Sequence, residues 1–216
     1  DLAAIFQQQQ QILQEEYQQD LLKAAQQAAA NFNVAERAQP ERFVAEPAWV
    51  FEAARAAGNM LLLPAPRQGF EVLVLDDGKA VIQLDGEGKR VATHPLPAGD
   101  GQDFMMIRTA TSRQGGRRYA VMTPGAEQVI VLDADWQQQL AYPDLEQHHD
   151  GISQVVLTDL EDDGQLELYV AFWGLAGVHR VEMDGERQWG FRRVANVISL
   201  VASPRNEVGW QKLLLT

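Results

Sequence analysis

The sequence predicts a mainly β protein, a partial β-propeller of about 3.5 blades that follows a long N-terminal amphipathic helix. Three observations support this prediction. From Met60 onward, short apolar runs alternate with Pro, Gly and Asp, which is typical of an all-β architecture. These runs recur with a period of about 45 to 50 residues, the size of one propeller blade. The only long helical periodicity lies at the start of the chain.

The N-terminal helix is predicted over residues 1–36, which are rich in Gln and contain neither Gly nor Pro. Apolar residues recur there at helical spacings, namely Leu2, Ile5, Phe6, Ile12, Leu13, Tyr17, Leu21, Ala24, Ala25, Ala28 and Phe32. Such a stripe packs on its own domain or on a second copy. Alternatively, it forms a stalk or coiled coil leading from a membrane anchor.

The propeller domain is predicted over residues 42–216. Pro40 ends the helical pattern, and residues 42–58 mix a strand with a short Ala-rich turn of helix. Repeats are then expected near residues 60–90, 103–140, 154–190 and 197–216. The last repeat stops within its second strand. We therefore expect either a longer propeller or an arc whose edge is covered by the N-terminal helix, a second copy or a partner chain.

The repeat is defined by a small residue, a strand, an Asp and another small residue. Asp85, Asp133 and Asp184 mark it, at spacings of 48 (133 − 85) and 51 (184 − 133) residues. Two strands precede each mark, at 60–63 and 71–75, 105–109 and 118–122, and 155–158 and 168–172. Packing as four-stranded blades is expected, with these interior residues: Leu157, Val170, Val181, Met106, Val121, Ile130, Leu62, Val74 and Ile82.

An acidic loop between two strands is the best candidate site in the sequence. Acidic residues and a Gly follow the order D-x-E-x-D-G-x-x-E from Asp159 to Glu167. This order places oxygen ligands at alternate positions of a tight loop, as a hard cation requires. One calcium ion is predicted, bound by the side chains of Asp159, Glu161, Asp163 and Glu167 and by the carbonyl of Gln165. The alternative is a solvated turn whose Asp side chains bind backbone donors.

The loop and its flanking strands resemble the FG-GAP and VCBS repeats of integrin-α-like β-propellers, over roughly residues 60–216. The resemblance implies calcium binding between two strands of a blade, at one site, because residues 109–117 and 203–209 have no comparable series of alternating carboxylates. Trp189 after an Asp-Gly turn also resembles the pyrroloquinoline-quinone-type repeats. Val91 and Leu140 are expected at the matching places in the other units.

Composition limits the partners. A net charge of −12 and a pI near 4.7 argue against nucleic-acid binding, which needs clustered Lys and Arg. Cys is absent, so thiolate metal sites are excluded. The chain begins at Asp1, which is consistent with a removed leader or with an upstream membrane anchor. A secreted, periplasmic or cell-surface location is expected.

Histidine and tryptophan residues offer further candidates. His148, His149 and Asp150 could chelate zinc or copper only from an irregular loop, so a polar connection between blades is the preferred interpretation. His94 and His179 are isolated in sequence and are expected in a loop and on a strand, respectively. Trp136, Trp173 and Trp210 could line a carbohydrate surface, although packing is commoner for such residues.

Three functions remain open from the sequence. The first is a non-catalytic, calcium-binding propeller module that binds a protein or a glycan. The second is a propeller enzyme, such as a polysaccharide lyase or a quinone-dependent dehydrogenase, whose ionisable side chains would converge at the central channel. The third is a structural subunit of a larger complex.

Overall fold

The computed structural model describes residues 19–20, 22–23, 47–52, 55–65, 69–97, 103–114, 116–206 and 211–216. The chain divides into two compact units, Asp1–Pro47 and Ala48–Thr216. In the first unit the four described residues before Pro47 are helical: Gln19, Asp20, Leu22 and Lys23. The rest of the predicted N-terminal helix lies outside the described residues. No described helix is long and apolar enough to cross a membrane.

Blade 1 is a four-stranded antiparallel sheet whose strands follow chain order. Its strands are β1 (Ala57–Pro64), β2 (Phe70–Asp76), β3 (Ala80–Leu84) and β4 (Arg90–Pro95). Strands β2 and β3 are rich in Val, Leu and Ile and are mostly buried, because both of their faces are covered. His94 therefore lies on a strand and not in a loop, since β4 pairs with β3 up to Pro95.

Blade 2 repeats the same order. Its strands are β5 (Met106–Thr111), β6 (Arg117–Met122), β7 (Val129–Leu132) and β8 (Gln138–Tyr142). Strands β5 and β6 form a hairpin in which Thr111 pairs with Arg117 next to the turn.

Blade 3 is the third four-stranded sheet. It comprises β9 (Ile152–Thr158), β10 (Glu167–Phe172), β11 (Val178–Val181) and β12 (Arg187–Phe191). A two-stranded sheet follows, made of β13 (Leu200–Ala202) and β14 (Leu213–Leu215). The predicted architecture of three four-stranded blades and the beginning of a fourth is therefore found in the described residues.

The first strands of the units lie side by side. Strand β5 contacts both β1 and β9, and β9 also contacts β13. Each blade packs its sheet face against the next, as propeller blades do. Both faces of a blade are buried, which explains why the second strands read as continuous apolar runs and not as an alternation.

Each blade has one face that packs on the preceding part of the chain. Most of the predicted interior residues lie on this face. Val121 and Ile130 pack against blade 1, and Val170 packs against blade 2. In blade 1 the equivalent face, with Val74 and Ile82, is covered by the segment that contains Trp49 and Phe51. This segment also donates a hydrogen bond from Trp49 Nε1 to the Gly86 carbonyl, at 3.1 Å.

One member of the predicted interior set is wrong. Leu62 is 69% exposed, because Leu61 and Leu63 alternate with it and turn toward the core with blade 2. The covering segment at Trp49 and Phe51 packs on β2 and β3 and leaves this face of β1 open. Met106 is partly buried, and the other predicted interior residues are buried.

The turn between the third and fourth strands shows the true register of the repeat. The first residue of this turn donates its backbone N–H to the carbonyl of the residue four positions later. The three bonds run from Asp85 to Lys89, from Asp133 to Gln137 and from Glu182 to Glu186. The structural mark in blade 3 is therefore Glu182, and not Asp184. The spacings become 48 (133 − 85) and 49 (182 − 133) residues, an almost even period.

Candidate functional site

The acidic loop joins β9 to β10 and is organised by the buried carboxylate of Asp159. Its Oδ1 accepts the Asp163 backbone N–H at 3.1 Å, and its Oδ2 accepts that of Gly164 at 3.0 Å. Gly164 is buried with a φ of +89°, a conformation that costs little only for glycine. The sequence places Gly at one of the two positions of this loop where the chain turns left-handed, Asp162 being the other.

Glu167, the first residue of β10, closes the other side of the loop. Its side chain is 1% exposed, and its Oε2 accepts the Leu160 backbone N–H at 3.0 Å and the Tyr169 hydroxyl at 3.4 Å. Burial raises the pKa of the Glu167 carboxyl, although the bond from Leu160 and the charge of Arg180 oppose this rise. A buried carboxylate of this kind needs a positive partner.

Three of the five predicted ligands come together. Asp159, Asp163 and Glu167 each offer one carboxylate oxygen, and these oxygens lie within 4.8 Å of one another. Asp159 and Glu167 are buried, whereas Asp163 is exposed and forms the open side of the cluster. Carboxylate oxygens at this separation suit a hard cation such as calcium.

The other two predicted ligands take different positions. The Glu161 carboxylate pairs with both terminal nitrogens of Arg180. Gln165 donates its backbone N–H to Asp163 Oδ1 at 2.8 Å, which fixes the Asp163 side chain in an Asx turn. Asp162 pairs instead with Arg113 and with Arg205, so its side chain serves the loop's contacts with neighbouring elements. The ligand roles of Glu161 and Gln165 stay predictions.

Two arginines from distant parts of the chain balance the acidic loop. Arg180, on β11, is 13% exposed and lies between Glu161, Glu167 at 3.4 Å and Glu182 at 3.0 Å. Arg205 lies 3.6 Å from Asp159 Oδ2 and also donates to the Asp159 carbonyl. Sequence reasoning missed both residues, because neither belongs to the loop or to a local motif.

The histidine pair is held by the backbone. His149 accepts the Gly151 N–H on Nδ1 at 3.0 Å, so its Nε2 carries the proton and donates to the Glu127 carbonyl at 3.0 Å. Both ring nitrogens are thus occupied, as the interpretation of a polar connection between blades predicts. Neither His148 nor His149 belongs to a metal-ligand group among the described residues.

The tryptophans do not form a common carbohydrate platform in the described part of the chain. Trp136 is stacked between His94, at 4.4 Å, and Tyr119, at 4.1 Å, so both of its ring faces are covered. Trp173 is partly buried beside the loop that leaves β10. Trp210 lies outside the described residues. Trp189 on β12 is 39% exposed and pairs in the sheet with Arg180.

Two of the arginines around residue 115, Arg113 and Arg117, are paired with acids, in keeping with the excess of negative charge. Arg117 forms an ion pair with Glu71 of blade 1, and Arg113 forms one with Asp162. The hairpin itself is closed by Ser112, whose Oγ accepts the Gly116 N–H at 3.1 Å. This hairpin therefore links the blades on either side through charge.

Comparisons with two known structures support the fold. Two crystal structures of BBS1N in complex with ARL6DN, soaked with lead and with mercury, match 77% of this chain at 12% identity, with TM-scores of 0.56 and 0.58. The chain spans about half the length of BBS1N, since the matches cover 51% and 50% of that protein. Virginiamycin B lyase from Staphylococcus aureus matches 64% of this chain and 58% of its own at 13% identity, with a TM-score of 0.33.

No protein-family model matches the chain, and no curated protein matches it significantly. The structural likeness at 12% identity shows the fold alone. The chain is thus a mainly β protein with propeller-like, four-stranded antiparallel blades.

Proposed function

We propose that this protein is a non-catalytic β-propeller module that binds one calcium ion in the β9–β10 loop and offers its surface to a partner protein. The cluster of Asp159, Asp163 and Glu167 is the observation on which the ion site rests. Calcium would be held by these three carboxylates and would neutralise charge between two strands of blade 3. The resemblance of the loop to FG-GAP and VCBS repeats supports the same ion.

Calcium titration of chelator-treated protein tests the site, with two matched variants. Asp163 and Asp133 each accept, on Oδ1, the N–H of the residue two positions on, at 2.8 and 2.9 Å. Asn keeps that acceptor, so Asp163→Asn and Asp133→Asn each remove one negative charge and preserve the turn.

Calorimetry should show one site in the wild type and in Asp133→Asn, and at least about tenfold weaker binding in Asp163→Asn. Calcium should also raise the thermal midpoint of the wild type, because a ligand that binds only the folded state stabilises it. Absence of heat in the wild type, or equal weakening in both variants, would remove the calcium proposal.

An exposed apolar surface supports binding of a partner protein. Trp189 and Phe191 of β12 are 39% and 40% exposed, and with Val178, Leu213 and Leu215 they line a groove of about 370 Å³. Strand β14 borders this groove and pairs with β13 along one edge; no described strand pairs with its other edge. Large exposed apolar surfaces of this kind mark interaction sites. An extended apolar strand, supplied by a partner or by a further part of the same protein, fits the groove and the edge together.

A peptide carrying residues 127–132, which contain the third strand of blade 2, probes this surface. Fluorescence anisotropy should show binding of the peptide, but not of the same peptide with Pro at its centre, because Pro cannot donate to the strand ladder. Phe191→Arg should abolish the binding, whereas Leu175→Arg, at a site that is already 77% exposed, should not. Equal binding of both peptides, or none, would exclude strand addition at β14.

A further inference from the structure

One buried histidine stands where the repeat has isoleucine. In the sheet register, Ile82 pairs with Val74, Ile130 with Val121 and His179 with Val170. The side chains of Ile82, Ile130 and His179 all lie on the blade face that packs on the preceding part of the chain. A third isoleucine would fill this position without any polar group. A buried imidazole, in contrast, needs hydrogen-bond partners for its two ring nitrogens.

Only one of these two nitrogens has a partner. The Tyr142 hydroxyl lies 2.8 Å from His179 Nδ1, whereas Nε2 is buried and has no hydrogen-bond partner among the described residues. His179 as a whole is 5% exposed. The residue across the sheet leaves room for the ring, because a Cβ at Gly190 would lie 3.1 Å from His179 Cδ2 and 3.4 Å from Nε2.

The hydrogen-bond pattern identifies Nε2 as a donor. Burial raises the pKa of the Tyr142 hydroxyl, while the charge of Arg187 and a hydrogen bond from it lower this pKa. Because the Arg187 guanidinium acts on the Tyr142 oxygen and can only donate, we assign the Tyr142 proton to the contact with His179 Nδ1. Burial, and then the charges of Arg187 and Arg192, lowers the pKa of His179 to about 4. The neutral ring therefore carries its proton on Nε2.

A cavity of about 330 Å³ adjoins this histidine at the junction of blades 2 and 3. Its polar lining comes from Gln147, His148, His149, His179, Arg187 and Arg192. Neither Arg187 nor Arg192 forms an ion pair with any residue that the structure describes. The charge of these two guanidiniums, which line one cavity, is therefore not balanced by an ion pair with a described acid, although the chain has a net charge of −12.

We propose that this cavity binds a small oxyanion ligand, with Arg187 and Arg192 holding the charged oxygens and His179 Nε2 donating the inner hydrogen bond. Guanidinium groups match carboxylate and phosphate oxygens in geometry and in charge. The volume lies at the lower end of the range of small-molecule sites, about 300 to 1,000 Å³. His149 positions the rim and is not a ligand, since the backbone occupies both of its ring nitrogens.

Titration calorimetry with inorganic phosphate and with malonate, at constant ionic strength, tests the site and separates phosphate from carboxylate ligands. Saturable binding of either anion supports the proposal, and the preferred anion identifies the ligand class. Arg187→Gln and Arg192→Gln should each weaken the binding about tenfold or more, because each removes a charge-assisted hydrogen bond. Arg193→Gln is the matched control, since this neighbouring arginine does not line the cavity.

The variant His179→Ile has, at this position, the residue that the other two blades have. It should leave the protein folded and weaken anion binding, because the Nε2 donor is lost together with the Nδ1 partner of the Tyr142 hydroxyl. In the wild type, the bound anion should raise the pKa of His179, as followed by the NMR signals of its ring. Failure of both anions to bind, equal weakening in Arg193→Gln, or unchanged binding in His179→Ile would overturn the proposal. None of these results depends on calcium in the β9–β10 loop.

Discussion

The loops β5–β6 and β9–β10 occupy the same place in blades 2 and 3 but are stabilised in opposite ways. In blade 2 the hairpin is short and basic, and the hydroxyl of Ser112 closes it. In blade 3 the loop is longer and acidic, and the buried carboxylates of Asp159 and Glu167 bind its backbone N–H groups. A hydroxyl closes a turn without charge, whereas buried carboxylates require cations nearby. Equivalent strands thus support one loop that is closed by buried charged groups and one that is closed by a neutral hydroxyl.

The largest test of this difference is removal of the buried acid. Glu167→Ala should lower the free energy of unfolding by about 3 kcal/mol, because it leaves Arg180 and the Leu160 N–H without their buried partner. Ser112→Ala, the matched change in blade 2, should cost only about 1 kcal/mol. Chemical denaturation measures both. Similar losses in the two variants would show that the two loops do not differ in their dependence on charge.

The pH dependence of stability sharpens the same comparison with a smaller effect. Burial raises the pKa of Glu167 above its ordinary value of 4.5. At pH values between the ordinary pKa and the raised pKa, the folded state binds more protons than the unfolded state. The contribution of Glu167 to the free energy of unfolding therefore falls as the pH rises. Above the raised pKa this loss is complete.

Glu167→Gln removes this contribution and keeps an acceptor for Leu160. The difference in unfolding free energy between the wild type and Glu167→Gln should therefore shift against the wild type as the pH rises from about 4.5 toward neutrality. Urea denaturation at several pH values, in calcium-free buffer, measures the shift. Ser112→Ala should run parallel to the wild type, and a difference that stays constant with pH for Glu167→Gln would contradict the raised pKa.

Calcium affinity tests the role of the arginine beside the loop. Arg205 lies 3.6 Å from Asp159 Oδ2, so its charge opposes a cation at the cluster. Arg205→Gln should raise calcium affinity about three- to tenfold, an effect limited by the partial exposure of Arg205. Arg113→Gln is the control, since Arg113 pairs with Asp162 and not with the cluster. An affinity that falls or stays constant in Arg205→Gln would show that Arg205 does not compete with the ion.

Much of the fold could be predicted from the sequence, because strand runs and turn residues are local signals. The blades and their period follow from apolar runs separated by Asp and Gly. The register in blade 3 could not be obtained this way. Asp184-Gly185 matches Asp85-Gly86 in residue type, but the backbone bond from Glu182 to Glu186 sets the turn. Identity of turn residues is a weaker constraint than the hydrogen bonds that close the turn.

The candidate sites show the same limit. The spacing from Asp159 to Glu167 predicted a cluster, and three of those residues form one. The pairing of Glu161 with Arg180 depends on a strand that lies beyond the loop in sequence, so no local pattern could indicate it. His179 could have been recognised as a substitution for Ile82 and Ile130, but only once the register of the third blade was known.

The smallest expected effect concerns the ion pair that joins the two loops. Arg113 and Asp162 approach to 2.5 Å, but their side chains are 59% and 32% exposed, and exposed pairs contribute little. Asp162 has a φ of +65°, which Asn also tolerates, so Asp162→Asn changes the charge without straining the backbone. In a double-mutant cycle of Arg113→Gln and Asp162→Asn, the coupling energy should be about 0.5 kcal/mol or less.

Salt distinguishes this weak pair from a cooperative contact. Because both side chains are partly exposed, their coupling energy should fall further as the salt concentration rises. Asp162 also lies 3.1 Å from Arg205, and the cycle removes that contribution because it is present in both arms. A coupling energy well above about 1 kcal/mol that persists in high salt would mean that the basic and the acidic loop fold as one unit. The two loops would then differ in how each is closed, but their stabilities could no longer be treated as independent of each other.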